Sequence, residues 1–212
     1  MEIVSEAVDR YLAGLSAPAD ATLAEMERYG RERQFPIVGP QVGRLFLILT
    51  RLIGAERVLE LGSGFGYSAY WFALGLPDEG RVVLTERSAE NLERARGYFE
   101  QGGLLHHMEA HAGEALDIAA SLEGPFDVVF SDIDKHEYPE VLDLARKHLR
   151  PGGLLLFDNM LWGGAVLSEE PDATTRGIQS LTHSLYESPD LFTTIVPLRD
   201  GVSISLFAPE RE

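Results

Sequence analysis

Cysteine is absent from the 212 residues, which excludes disulfides, thiolate metal sites and cysteine nucleophiles. Lysine is nearly absent as well: Lys135 and Lys147 are the only two among 18 basic residues. Positive charge is scarce altogether, with 18 Lys plus Arg against 34 Asp plus Glu and a net charge of -16. Nucleic acid and anionic membrane surfaces both need a cationic face, so neither is expected as a partner. The longest apolar run, around 45–49, falls far short of a bilayer span. The start of the chain, Met1-Glu2-Ile3-Val4-Ser5-Glu6, is acidic and unlike a signal peptide, so a cytoplasmic location is expected. No internal repeat or low-complexity linker interrupts the chain.

What is present is the mix of an ordinary globular protein, 45% hydrophobic and 25% charged. A chain of this length suits one domain with a full core. The expectation is a single domain over 1–212, with a helical N-terminal cap over 1–55 and a Rossmann-like core over 56–212. Helical patterns cover 2–15, 20–33 and 41–53, with Pro36 and Pro40 in the turn before the third. Short apolar runs follow at 57–61, 81–85, 126–131 and 153–157, with a weaker one at 105–110, and amphipathic segments at 89–101 and 138–149 lie among them. Strands alternating with helices imply βαβ units and a doubly wound, mostly parallel sheet. Two last strand-like runs, 192–197 and 202–207, flank Leu198-Arg199-Asp200-Gly201. Asp-Gly between apolar runs signals a hairpin, so an α/β fold with a seven-stranded sheet ending in an antiparallel hairpin is expected.

The segment from Val58 to Ser68, V-L-E-L-G-S-G-F-G-Y-S, runs from a strand through a glycine-rich turn into a helix starting near Tyr67. Such a turn lets a ligand approach the backbone and the free N–H groups of a helix start. Alone it is weak evidence, since dinucleotide enzymes use one too. Two acids make it more specific. Glu60, just before the first glycine, would repel a pyrophosphate but can hold an ammonium. Glu86, after the strand Val82-Val83-Leu84-Thr85, can accept from both hydroxyls of a ribose, or is a solvated strand-end acid. Taken together they describe S-adenosylmethionine. The third glycine also comes one residue early for a dinucleotide fingerprint, because Tyr67 occupies that place.

Ser131-Asp132-Ile133-Asp134-Lys135 stands at the carboxyl end of the strand 126–130, and Asp158-Asn159 at the end of 154–157. In a parallel sheet both ends open on the same edge as the glycine turn. Asp132, Asp158 and Asn159 then converge as hard oxygen donors, the set expected for Mg²⁺. Lys135 has two readings. An amine can lose its proton where arginine cannot, which makes it a candidate base, provided its ordinary pKa of about 10.4 falls beside a cation. The alternative is a surface salt bridge with Asp134 or Glu137.

The strings E-L-G-S-G-F-G-Y-S, S-D-I-D-K-H-E-Y and F-D-N-M-L-W-G-G resemble signature segments of the cation-dependent O-methyltransferases of the catechol and caffeoyl-CoA type. So do G-E-A-L at 113–116 and R-D-G-V-S-I at 199–204. The resemblance runs from about Pro36 to Phe207 in the family's order. It implies methyl transfer from S-adenosylmethionine to a metal-held hydroxyl of a small aromatic vicinal diol. Asp132, Asp158 and Asn159 would bind the metal, with Lys135 as base and Asp132 and Asn159 sharing the catalytic site. The cofactor would rest on Glu60 at its methionine end, Glu86 at the ribose and Ala115 by the adenine. Val38, Gly62, Ser63, Ser68 and Asp132 fall on further contacts, and the N-terminal helices would cap the acceptor site or make a homodimer.

The chain departs from the pattern at Ser131, where a small aliphatic residue is usual, and at Glu114, where aspartate or proline is common. In 178–183, within a helix bordering the acceptor pocket, relatives carry an asparagine near Thr182. Met160 and Trp162 would line that pocket or simply pack. His106, His107 and His111 read as structural or exposed, and His136 as a surface or neighbouring residue. The rival readings are a metal-independent methyltransferase of the same fold, a nicotinamide-dependent oxidoreductase and a non-catalytic adenosylmethionine-binding module.

Overall fold

The computed structural model of the chain describes residues 5–209. Residues 2–4 of the first expected helix lie outside them. Three helices come first: α1 (Glu6–Leu15), α2 (Ala21–Arg33) and α3 (Gly39–Leu52). Asp20 caps α2 by accepting from the Leu23 N–H at 2.8 Å, satisfying a donor that a helix start otherwise leaves open. Pro40 sits inside the first turn of α3, not in the loop before it as expected, because its missing N–H costs nothing there.

The core alternates strands and helices: β1 (Arg57–Leu61), α4 (Tyr67–Ala73), β2 (Arg81–Glu86), α5 (Ala89–Gln101), β3 (Met108–Ala112), α6 (Ala115–Ser121), β4 (Phe126–Ser131), α7 (Tyr138–His148), β5 (Leu149–Phe157), α8 (Ala173–Glu187), β6 (Leu191–Val196) and β7 (Val202–Phe207). One sheet takes the order β3-β2-β1-β4-β5-β7-β6. The first five strands pair in parallel and β7 runs antiparallel to both neighbours. The doubly wound sheet with a terminal hairpin is therefore as expected.

Two boundaries in the sheet differ by more than two residues. β5 starts at Leu149, four residues before the apolar run, because Leu149 pairs with Phe126 across a register irregularity. The weak run at 105–110 splits into a 3-10 turn, Leu105–His107, and β3 from Met108. That edge strand has only exposed and half-buried positions, none fully buried, so its apolar signal is faint.

Each sheet face carries its own core. Phe46, Trp71, Phe72 and Phe130 pack among α3, α4 and β4 on one face; Tyr138, Phe157, Ile178 and Leu181 pack under α7 and α8 on the other. Every residue of α4 is buried, and its faces are apolar or aromatic except at Ser68, as burial on all sides requires. It is the helix that follows the glycine-rich turn, and its burial anchors that turn.

Candidate active site

The carboxyl ends of β1, β2, β4 and β5 open into a cavity of about 930 Å³. β1 is followed by Gly62, whose φ of 84° is left-handed. A Cβ there would lie 2.9 Å from the Asp132 carbonyl oxygen, so glycine is what lets the β1 and β4 ends close up. The Gly62 and Ser63 N–H groups donate to the Thr85 carbonyl at 3.1 and 3.0 Å, tying the turn to β2.

Glu60 lies below the cavity floor, fully buried. Ser68 donates its hydroxyl to Oε1, while Oε2 has no partner. Burial pushes this carboxyl up to about 7, against the pull of the Ser68 and Ser63 hydroxyls and with a further push from the Asp132 and Glu86 charges. A buried acceptor left open is costly, and a cationic ligand group would relieve it.

Glu86 closes β2 and is held from three directions. Oε2 accepts from the Gly64 N–H at 3.0 Å; Oε1 accepts from the Ser88 N–H at 2.9 Å and the Asn91 amide at 3.2 Å. This is a pinned carboxylate on the cavity wall, not a solvated strand-end acid. Asn91, on the first turn of α5, lacked any sequence signal tying it to Glu86.

Just past the end of β4, Asp132 accepts from the Lys135 ammonium at 2.5 Å. Lys135 is only 9% exposed, and its Nζ lies 5.0 Å from the Tyr138 ring centroid. The surface salt-bridge reading fails for a specific reason: Arg87 takes the other acids, with Asp134 at 3.0 Å and Glu137 at 3.6 Å, besides Glu114 at 2.6 Å. Asp158 is 6% exposed. Burial and the neighbouring Asp132 charge push it up to about 7, against pulls from the Asn159 backbone N–H, Lys135 and Arg199. Burial likewise raises Asp132, opposed by Lys135. A buried Asp158 carboxylate beside the partly exposed, charged Asp132 invites a cation.

Asn159 adopts a left-handed φ of 58°, tolerable for asparagine. Its amide donates to Asp200 Oδ2 at 3.5 Å, and Asp200 Oδ1 accepts from the Gly163 N–H at 2.6 Å. The β6–β7 turn thus holds the loop after β5, a role for Asp200 that its place in a hairpin dipeptide did not disclose.

Val38, Gly62, Ser63, Ser68, Glu86, Ala115, Asp132, Lys135, Asp158 and Asn159 all line the one cavity. The segment before α3 contributes Phe35, Pro36, Ile37 and Val38, so the N-terminal helical region forms part of the wall. Among the described residues no group of three His, Cys, Asp or Glu is placed to hold a metal; the expected set has two aspartates and an asparagine. Trp162 lines the cavity, whereas Met160 is core. From α8 it is Thr174, not Thr182, that reaches the cavity. The α8 helix touches the site elsewhere: a Cβ on Gly177 would lie 2.3 Å from the Lys135 carbonyl oxygen. His107 is buried with Nδ1 2.9 Å from the Gly80 carbonyl, His111 meets Glu109, and neither lines the cavity; His136 does.

A family model described as O-methyltransferase matches residues 14–207. The catechol O-methyltransferase of Mycobacterium tuberculosis is 34% identical over 189 residues, covering 89% of this chain and 82% of that protein. That of Niastella koreensis is 34% identical over 172 residues, covering 78% of each. Among solved structures, the Streptomyces achromogenes O-methyltransferase involved in tomaymycin synthesis, in complex with SAM, superposes with a TM-score of 0.87 at 34% identity, covering 96% of both chains. The Bacillus cereus O-methyltransferase in complex with SAH gives 0.85 at 30% identity, covering 95% of this chain and 97% of that one.

Proposed function

This chain belongs to the S-adenosylmethionine-dependent O-methyltransferase family of the catechol and caffeoyl-CoA type, and from that premise we propose that its acceptor is a small aromatic vicinal diol positioned by a divalent cation. The observation that carries this reading is the joining of two half-sites in one cavity. The Gly62 turn and Glu86 line it together with Asp132, Lys135, Asp158 and Asn159. The cofactor supplies an electrophilic methyl on a sulfonium, and a divalent cation such as Mg²⁺ would acidify and orient the acceptor hydroxyl.

The residues fit such a cation. Asp132 and Asp158 are hard anionic donors that burial alone disfavours as ions, and the Asn159 amide, directed by Asp200, leaves its carbonyl oxygen free to face them. Glu60, Glu86 and Ala115, with Val38, Gly62, Ser63 and Ser68, are assigned to the cofactor. Lys135 is assigned as the group that takes the acceptor proton, a role open to it as the neutral amine and not as the ammonium paired with Asp132. Positioning supplies most of the remaining rate. In this reading the chain acts as one catalytic domain and as a homodimer.

A specific observation also favours a metal-independent variant: Lys135 already gives Asp132 a cation. The test is methyl transfer to a panel of vicinal diphenols and monophenols, with Mg²⁺ and after chelation. Turnover confined to diphenols and abolished by chelation is expected. Undiminished turnover after chelation would remove the cation from the mechanism.

A further inference from the structure

Nine carboxylate side chains line the cavity, against three strongly basic ones, Arg87, Lys135 and Arg199. Two of those cations are committed: Arg87 to Glu114 and Asp134, Lys135 to Asp132. Arg199 is the exception. Among the described residues its side chain, which is exposed, has no hydrogen bond or ion pair, although it shares the cavity with those carboxylates.

Its place is nevertheless defined. The turn that carries it is closed by the Leu198 N–H donating to Val196 and the Gly201 N–H to Leu198, both at 2.8 Å. Arg199 itself has a left-handed φ of 50°, a conformation that costs a non-glycine residue energy. Its guanidinium lies over Gly39, where a Cβ would come within 2.1 Å of Nη1; a side chain at 39 would evict it. Arg199 lines the same cavity as Tyr67 and Asp158, and its charge favours the ionised form of each. The adjacent acid, Asp200, is turned away to Gly163 and Asn159. Gly39 opens α3, whose Val38 cap offers no side-chain acceptor. A cation beside the positive end of a helix is unfavourable unless an anion sits with it.

We propose that Arg199 receives a ligand carboxylate in this cavity. Arginine's planar fork matches a carboxylate and stays charged at any working pH. Two sources carry that chemistry. One is the amino-acid end of the cofactor, whose ammonium is assigned to Glu60. The other is a vicinal-diol acceptor bearing a carboxylic acid, an arm that rests on the acceptor reading above.

Two ratios test this. The first is the affinity for S-adenosylhomocysteine over its decarboxylated analogue, which keeps the ammonium, measured by calorimetry. The second is kcat/KM for 3,4-dihydroxybenzoate over unsubstituted catechol with Mg²⁺. The parent is expected to favour the carboxylated member of at least one pair, and Arg199→Gln to lower that ratio roughly tenfold or more. Arg199→Lys should lower it less. A fall in the first ratio assigns the carboxylate to the cofactor, and a fall in the second to the acceptor. Parity of the parent in both pairs overturns the proposal even if Arg199→Gln does not fold, and so do unchanged ratios in the folded variant. If the parent turns over neither diphenol, the acceptor reading falls on its own and the calorimetric ratio alone decides Arg199.

Discussion

Lys135 and Glu86 illustrate how a residue's meaning depends on who its neighbours turn out to be. Lys135 had two acids within reach in sequence, Asp134 and Glu137, and the fold gives both to Arg87. That leaves the ammonium facing Asp132 inside the cavity. If it serves as the base, removal should cost about 10²- to 10⁴-fold in turnover. Lys135→Arg should be nearly as damaging as Lys135→Ala, because arginine preserves the ion pair but cannot deprotonate. Turnover of both variants on a diphenol at saturating cofactor and Mg²⁺ decides it; an active Lys135→Arg would make the lysine a structural partner of Asp132. Glu86 is already oriented by Gly64, Ser88 and Asn91, so its carboxylate is presented to a ligand without further ordering. Glu86→Ala should weaken S-adenosylhomocysteine by roughly 1 to 3 kcal/mol, read by calorimetry.

At the scale of elements, the β6–β7 turn does more than reverse the chain. The Gly201 and Asp200 carbonyls accept from the Met160 and Leu161 N–H groups at 2.9 and 2.8 Å, and the Asp200 side chain holds Gly163 and Asn159. The loop after β5 therefore depends on a hairpin some forty residues later in the chain. Asp200→Ala removes the side-chain contacts and leaves the carbonyl ones. Partners behind a metal ligand typically contribute 10- to 100-fold in metal affinity, so Mn²⁺ binding should weaken by about that factor while cofactor affinity holds. Unchanged Mn²⁺ titration curves would show that Asn159 needs no such support. The hairpin itself was legible from Asp-Gly between two apolar runs; its grip on the 159–163 loop was not, since that link is non-local and largely main-chain.

For the molecule as a whole, the buried Glu60 makes folding and ligand binding pH-dependent. Its carboxyl lies at about 7 against an ordinary 4.5, so the folded state keeps a proton that the unfolded chain has lost. Stability from this group is complete below about pH 4.5 and falls as pH rises towards 7, by about 3 kcal/mol at most. A cofactor ammonium at Oε2 favours the ionised carboxylate, so affinity should rise with pH across the same window. Denaturation midpoints and cofactor affinities from pH 5.5 to 8, compared between the parent and Glu60→Gln, should show both slopes reduced in the variant. Apolar side chains also remain exposed on α1 and α3, at Tyr11, Leu15 and Leu52, and on β6 at Phe192. Covering such side chains favours association, and sedimentation is expected at the mass of two chains; a monomer at micromolar concentration would remove the homodimer from the proposed function.

The sequence by itself determined the sheet and the edge on which chemistry gathers. Apolar runs and glycine turns are local signals, and a parallel sheet sends all its strand ends to one side. Glu60, Glu86, Asp132, Asp158 and Asn159 were readable for that reason: each sits at a strand end beside a recognisable turn. Only the tertiary structure decided how those charges pair. That Arg87 spans Glu114 and Asp134, that Asp200 reaches Gly163, that Gly177 admits the Lys135 backbone and that Arg199 is left over Gly39 without a carboxylate are contacts between segments far apart in the chain. Charge pairing depends on distances of a few ångströms set by packing, and no spacing along the sequence encodes them.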